Sequence, residues 1–231
     1  MKHVILDIRT PAAAAERLTE LGFEPIFLPP FPALAEPVAA HPDMLIFFGR
    51  KLYCHADYLP LARRELELIA EAAGLELETT DELIGDEYPR DVLFNAFSAG
   101  ESLVGRIDSI SAKLKADFES LINVRQGYAK CSTCAVSERA FITADEAIKK
   151  ALLAQGFEVL KISPGGVELT GYDCGFIGGA SGTDGEHVYF CGSVDRHPDG
   201  EAIKAFCASH GRPAVSLSDE PLYDVGTMFF I

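Results

Sequence analysis

Six cysteines and six histidines are the residues of this 231-residue chain most suited to covalent or metal chemistry. Cys131-Ser-Thr-Cys134 is a C-x-x-C pair, with Cys174 further along the chain. The adjacent Lys130 would favour a thiolate at Cys131, whereas neighbouring aspartates would oppose it. Zinc needs four ligands in tetrahedral geometry, and Cys131, Cys134, Cys174 and an aspartate make a conceivable set. Residues i and i+3 of an extended strand point to opposite faces, however, so the pair chelates only across a turn, and there is no second C-x-x-C. Thioredoxin-like redox chemistry places the pair at a helix N-terminus after a strand, and here it leads into a strand. No metal and no cofactor are therefore expected. Cys131 and Cys174 are the candidate nucleophiles, with small thiols packed in a core as the alternative. His41 is the candidate acid or base, because it precedes one of a set of recurring aspartates.

Those aspartates occur as His41-Pro-Asp43, Pro89-Arg-Asp91, Tyr172-Asp173 and Tyr223-Asp224, each at the entrance to an apolar run. Lys130-Cys131 holds the equivalent place before a further run. Carboxylates converging from separate places repel one another and gain protons unless a cation compensates. Asp43, Asp91, Lys130, Asp173 and Asp224 thus form a candidate binding set for a small cationic molecule. Alternatively, each aspartate accepts backbone N–H groups in the turn before a strand. The segment Gly175-Phe-Ile-Gly-Gly-Ala-Ser-Gly182 lacks the lysine of a phosphate loop and runs into a strand, not a helix. A hairpin whose backbone approaches a neighbour closely is expected there. His197-Pro-Asp199 reads as a helix cap.

Positioning these residues requires a repeat. Five strand–strand–helix–strand units can be traced, with little sequence identity between them. The second has strands over 44–48 and 51–54, a helix over 57–74 and a strand over 75–78. The third has strands over 91–94 and 102–105, a helix after Asp108 and a strand over 122–125. The fourth has strands over 131–137 and 139–143, a helix over 145–156 and a strand over 158–162. The fifth has strands over 174–177 and 187–191, a helix over 198–211 and a strand over 213–217. The first unit takes its opening strand from 224–231 and the rest from 2–7, 11–22 and 25–28. Gly22, Gly74, Gly156 and Gly211 each follow a last helical turn, where a left-handed cap favours glycine. Pro11 and Pro198 suit first helical positions. Ile110, Leu114, Phe118 and Leu121 mark one helical face. The expected fold is an α/β ring of five ββαβ units, closed by pairing of the N- and C-terminal strands, with no exposed sheet edge.

Composition fits a single domain over residues 1–231: 48% of residues are hydrophobic and no break in composition divides the chain. No apolar run approaches the roughly 18–20 residues of a membrane span, and residues 1–20 lack the pattern of a signal peptide. Free thiols in a reducing cytoplasm are expected. A net charge of −15 with no basic patch excludes nucleic acid as a partner.

The order of units resembles the pentein fold of guanidino-group-modifying enzymes, which include arginine deiminases, amidinotransferases and dimethylarginine dimethylaminohydrolases. Asp91-Val-Leu-Phe94 followed by Glu101-Ser-Leu-Val-Gly105 is similar to a strand pair in the hydrolases. The resemblance implies a cysteine nucleophile on the strand supplied by the C-terminus. It also implies a histidine at the start of the preceding unit in chain order, and acidic residues around the guanidinium. Thr227 stands near the cysteine's place, and Lys130-Cys131 stands where the histidine is implied. Two functions follow: a binding protein with an acidic pocket that includes Thr227, or a hydrolase or amidinotransferase with a relocated cysteine.

Overall fold

The computed structural model describes residues 2–231. The chain opens with β1 (Lys2–Asp7), α1 (Ala12–Glu20) and β2 (Phe23–Leu28). A short helix α2 (Pro42–Leu45) leads into β3 (Ile46–Phe48), β4 (Leu52–His55), α3 (Arg63–Ala73) and β5 (Leu77–Thr80). Next come β6 (Phe97–Ala99), β7 (Ser102–Gly105), α4 (Ala112–Ala116) and β8 (Ser120–Asn123). They are followed by β9 (Thr133–Ala135), β10 (Ala140–Thr143), α5 (Glu146–Ala154) and β11 (Glu158–Lys161). The chain finishes with β12 (Val167–Glu168), β13 (Ser181–Thr183), β14 (Val188–Phe190), α6 (Gly200–Ser209), β15 (Ala214–Ser216), β16 (Leu222–Tyr223) and β17 (Phe229–Phe230).

Five three-stranded sheets share one pattern: β17-β1-β2, β3-β4-β5, β6-β7-β8, β9-β10-β11 and β13-β14-β15. In each, the middle strand is antiparallel to its first neighbour and parallel to the second, which it reaches through a helix. The chain ends meet, with Val4 opposite Phe230 and Ile5 opposite Phe229. The sheets are nevertheless separate, and among the described residues none closes on itself. This corrects the expectation that closure removes sheet edges. A sixth, two-stranded sheet joins β12 to β16 in parallel.

The helices follow the expected chemistry. Gly22, Gly74, Gly156 and Gly211 all have positive φ after a helix, as left-handed caps require. Four helices bury a pair three or four residues apart: Ala14 and Leu18, Leu66 and Ile69, Ile148 and Leu152, Ile203 and Cys207. Such pairs share one helical face, and burying a large one such as Leu152 contributes about 1.5–3 kcal/mol. The Asp145 carboxylate accepts the N–H groups of Ala147 and Ile148 at the start of α5, a side-chain cap. The helix of the third unit is only five residues long. Ile110, Leu114 and Phe118 are buried, but Leu121 belongs to β8 and is exposed.

The unit entrances differ most from expectation. Residues 42–45 are helical, 91–94 form turns, and 174–177 carry no strand. The apolar side chains of 42–45 and 91–94 are buried, so hydrophobicity alone does not distinguish a strand from a packed turn. Likewise, α6 begins at Gly200, two residues beyond Pro198. Asp199 instead accepts the Ser163 N–H, and His197 Nδ1 accepts the Asp199 N–H. Among the described residues no helix is long and apolar enough to cross a membrane.

Candidate functional site

The entrance turns bring several of the expected residues together. Asp43 lies in α2, where its N–H donates to the Gly226 carbonyl at 3.0 Å. Asp43 Oδ2 accepts from the Thr227 hydroxyl at 2.8 Å and from the Cys131 thiol at 3.0 Å. Lys130, partly buried, donates to the Thr227 hydroxyl at 3.2 Å. Thr227 has φ of 68°, a left-handed conformation rare for a β-branched residue that costs on the order of 1–3 kcal/mol. Its N–H reaches the Gly179 carbonyl at 2.9 Å, and its hydroxyl lies 3.0 Å from the Gly178 carbonyl. The strained turn thus points the hydroxyl at Asp43.

His41 completes the group between two carboxylates. Its Nε2 is 3.8 Å from Asp7 Oδ2 and its Nδ1 is 3.8 Å from Asp224 Oδ1. Asp224 also accepts the N–H groups of Phe176 and Gly226. Burial pushes the Asp224 carboxyl up to about 6, with Asp43 adding to the shift and His41 opposing it. Burial lowers the Lys130 ammonium pKa against the pull of Asp43. The Cys131 thiol is raised well above its ordinary value, chiefly by burial and then by Asp43 and Asp224. It is therefore a protonated donor, not a thiolate nucleophile.

Asn95, Asp7 and Arg9 were not singled out from the sequence. The Asn95 carbonyl accepts the N–H groups of Lys130 and Cys131, and its amide donates to Cys131 Sγ and the Asp43 carbonyl. It pins two entrance turns to each other. Its signal was a polar residue directly after the apolar run 92–94, the opposite end from the aspartates, which precede their runs. Asp7 ends β1, where Arg9 clasps it through Nε at 3.0 Å and Nη2 at 2.8 Å. The same guanidinium donates to the carbonyls of Glu36 and Pro37. Asp7, Arg9, Glu36, His41 and Asp224 line a cavity of about 190 Å³.

Other expected members lie apart. Asp173 and Cys174 are exposed, because β13 of their unit starts only at Ser181 and the glycine-rich segment fills the inner place instead. A Cβ on Gly178 would stand 2.6 Å from the Cys131 carbonyl, and one on Gly179 would stand 1.9 Å from Asp224 Oδ1, which bears out the close backbone approach expected of this segment. Asp91 is buried, but its carboxylate accepts from the Tyr128 hydroxyl. Burial raises its pKa and that hydrogen bond opposes the rise. Cys131 and Cys134 pack into different hydrophobic clusters, so the C-x-x-C pair does not chelate. A set at this site whose ligand atoms lie close enough to hold a metal is instead His41, Asp43 and Cys131.

All six cysteines are free, and only Cys174 is exposed. Burial raises the thiols of Cys54, Cys191 and Cys207 to about 12 and that of Cys134 to about 11. Iodoacetamide at neutral pH is expected to give one adduct per native chain, mapped by peptide mass spectrometry to Cys174. An adduct at Cys131 would show that its thiol is accessible and ionised.

The fold is similar to two solved structures. One is a DDAH from Pseudomonas aeruginosa, a cysteine-to-serine mutant complexed with citrulline, with TM-score 0.54 and 14% identity over 94% of this chain and 92% of that one. The other is SxtG, an amidinotransferase from Microseira wollei in the saxitoxin biosynthetic pathway, with TM-score 0.52 and 12% identity over 91% and 76%. At these identities the likenesses show a shared fold. The chain belongs to a family of unknown function (DUF6873), whose model matches residues 5–229. No curated protein matches it in sequence.

Proposed function

We propose that this chain binds a small cationic, guanidino- or amidine-like molecule in the acidic cavity beside His41, without processing it through a cysteine adduct. The five units would form one domain over residues 1–231, arranged as a ring around that cavity. The meeting of β1 with β17 and the two similar structures support the arrangement.

The observation that carries the proposal is the seat of Arg9. A planar guanidinium, which presents five donors in a fixed fork, is already held there by the Asp7 carboxylate and two backbone carbonyls. The lining thus has the acceptors a guanidinium needs, and Asp224 adds a carboxylate that faces His41 at 3.8 Å. At about 190 Å³ the cavity is below the usual range for ligand sites, roughly 300–1,000 Å³. It suits a guanidinium head group, and a larger ligand requires Arg9 to swing out.

Calorimetric titration with agmatine, arginine, methylated arginines and citrulline tests the proposal. The cations are expected to bind and citrulline, which lacks the charge, to bind at least about 10-fold more weakly, about 1.4 kcal/mol. Asp224→Asn should weaken cation binding by a similar factor, and Arg9→Ala should strengthen it by vacating the seat. Failure of every cation to bind both the wild type and Arg9→Ala would overturn the proposal.

A further inference from the structure

We infer that His41, Asp43 and Cys131 form a binding site for a divalent transition metal of the zinc type, with an imidazole, a carboxylate and a thiolate as ligands. One ligand atom from each residue lies within 4.8 Å of the other two. Bonds of about 2.0–2.3 Å to a tetrahedral zinc ion set its ligand atoms roughly 3.3–3.7 Å apart. Cys131 Sγ and Asp43 Oδ2 are 3.0 Å apart, so shifts of under an ångström there would admit the ion.

Unpartnered buried atoms point to the same place. His41 and Asp43 are 2% and 1% exposed. Among the described residues, His41 Nδ1 and Asp43 Oδ1 have no hydrogen-bond partner. Buried polar atoms without partners are costly and call for a water or an ion. The second cluster of possible ligands, Asp184, Glu186 and His187, also holds one such atom, His187 Nδ1. Its Asp184 carboxylate, however, is already engaged, accepting two backbone N–H groups and the Tyr189 hydroxyl.

The surroundings also suit a metal. Each His41 nitrogen faces a carboxylate at 3.8 Å, Asp7 at Nε2 and Asp224 at Nδ1. Whichever nitrogen binds the ion, the other keeps a carboxylate to fix the ring, as in most histidine–metal sites. A thiolate and a carboxylate balance a divalent charge. As the sulfur–metal bond forms, the thiol proton that now points at Asp43 leaves for solvent. His41 lines the cavity, which gives the ion a route in, and three protein ligands leave a fourth position for water or a small ligand. The site is independent of the guanidino-ligand proposal.

Cobalt(II) titration of the chelator-stripped full chain tests this site, because cobalt reports its ligands by absorption. One equivalent is expected to produce a thiolate-to-cobalt charge-transfer band with tetrahedral visible bands, all displaced by zinc. Cys131→Ser should abolish the charge-transfer band and lower affinity at least about 100-fold, since losing even an outer-shell partner costs about 10–100-fold. His41→Gln and Asp43→Asn should lower affinity at least about 10-fold while the band survives, which covers the case in which Cys131→Ser does not fold. Cys134→Ser and Cys174→Ser should leave the band intact. The site is ruled out by a wild type that gives no band at one equivalent. It is ruled out equally by a band that survives Cys131→Ser or is lost in Cys134→Ser or Cys174→Ser.

Discussion

With a chelator present, so that only a cysteine-adduct route is read, the purified protein is expected to release neither ammonia nor citrulline above background from arginine, agmatine or methylated arginines. That route needs a nucleophile and a nearby base to move protons. At the C-terminal strand the available group is the Thr227 hydroxyl, a far weaker nucleophile than a thiolate. It already has a carboxylate and a carbonyl within hydrogen-bond reach and accepts from Lys130. The nearest thiol, Cys131, is held protonated by burial and by its contact with Asp43. Among the described residues, no hydrogen bond links His41 to either group. Loss of a nucleophile or base from such a unit costs on the order of 10⁴–10⁶ in kcat, which brings a typical turnover of about 10 s⁻¹ to background. Robust turnover abolished by Cys131→Ser or Cys174→Ser would reverse the conclusion and establish a relocated nucleophile.

The repeat was legible in the sequence because its punctuation is local. A glycine after a helix, followed by a short β-rich run, needs no tertiary context, and Gly22, Gly74, Gly156 and Gly211 all took left-handed caps. The entrances were less legible. Both 44–48 and 91–94 read as strands from their apolar residues, but Met44 and Leu45 are helical and only 46–48 form β3. Residues 91–94 are packed in turns whose backbone bonds are local, such as Asn95 N–H to the Val92 carbonyl. Half of the candidate site followed from noticing what precedes each run, which singled out Asp43, Cys131 and Asp224. The same rule failed for Asp173, because Gly178 and Gly179 occupy the inner position of that unit and only a residue without a Cβ fits there. Asp7 was not singled out because it stands at the end of a strand, opposite in polarity to the other aspartates. It reaches the group only because β1 runs through the middle of its sheet towards His41.

Gly226→Ala is expected to be the most damaging single-methyl change in the C-terminal turn, lowering stability by about 2–5 kcal/mol. Gly226 has φ of +70°, where an L-residue carries about 1–2 kcal/mol of strain. A Cβ there would also stand 2.2 Å from His41 Cβ and 2.4 Å from His41 Cγ. Relieving such overlap in a packed interior typically costs a further 1–3 kcal/mol. Little room exists to relieve it, since the Gly226 carbonyl accepts the Asp43 N–H and its own N–H donates to Asp224. For a chain of this length each kcal/mol corresponds to roughly 2–4 °C in Tm, so a fall of roughly 4–20 °C is expected by calorimetry. Gly185→Ala is the internal control, with φ of +88° and nothing within 4 Å of the new methyl, so it should carry only the backbone strain. Equal Tm losses in the two variants would show that Gly226 does not press against His41, and the turn that sets Thr227 beside Asp43 would need a different cause. A larger loss at Gly226, with weakened cation and cobalt binding, would tie the C-terminal turn to the site it helps build.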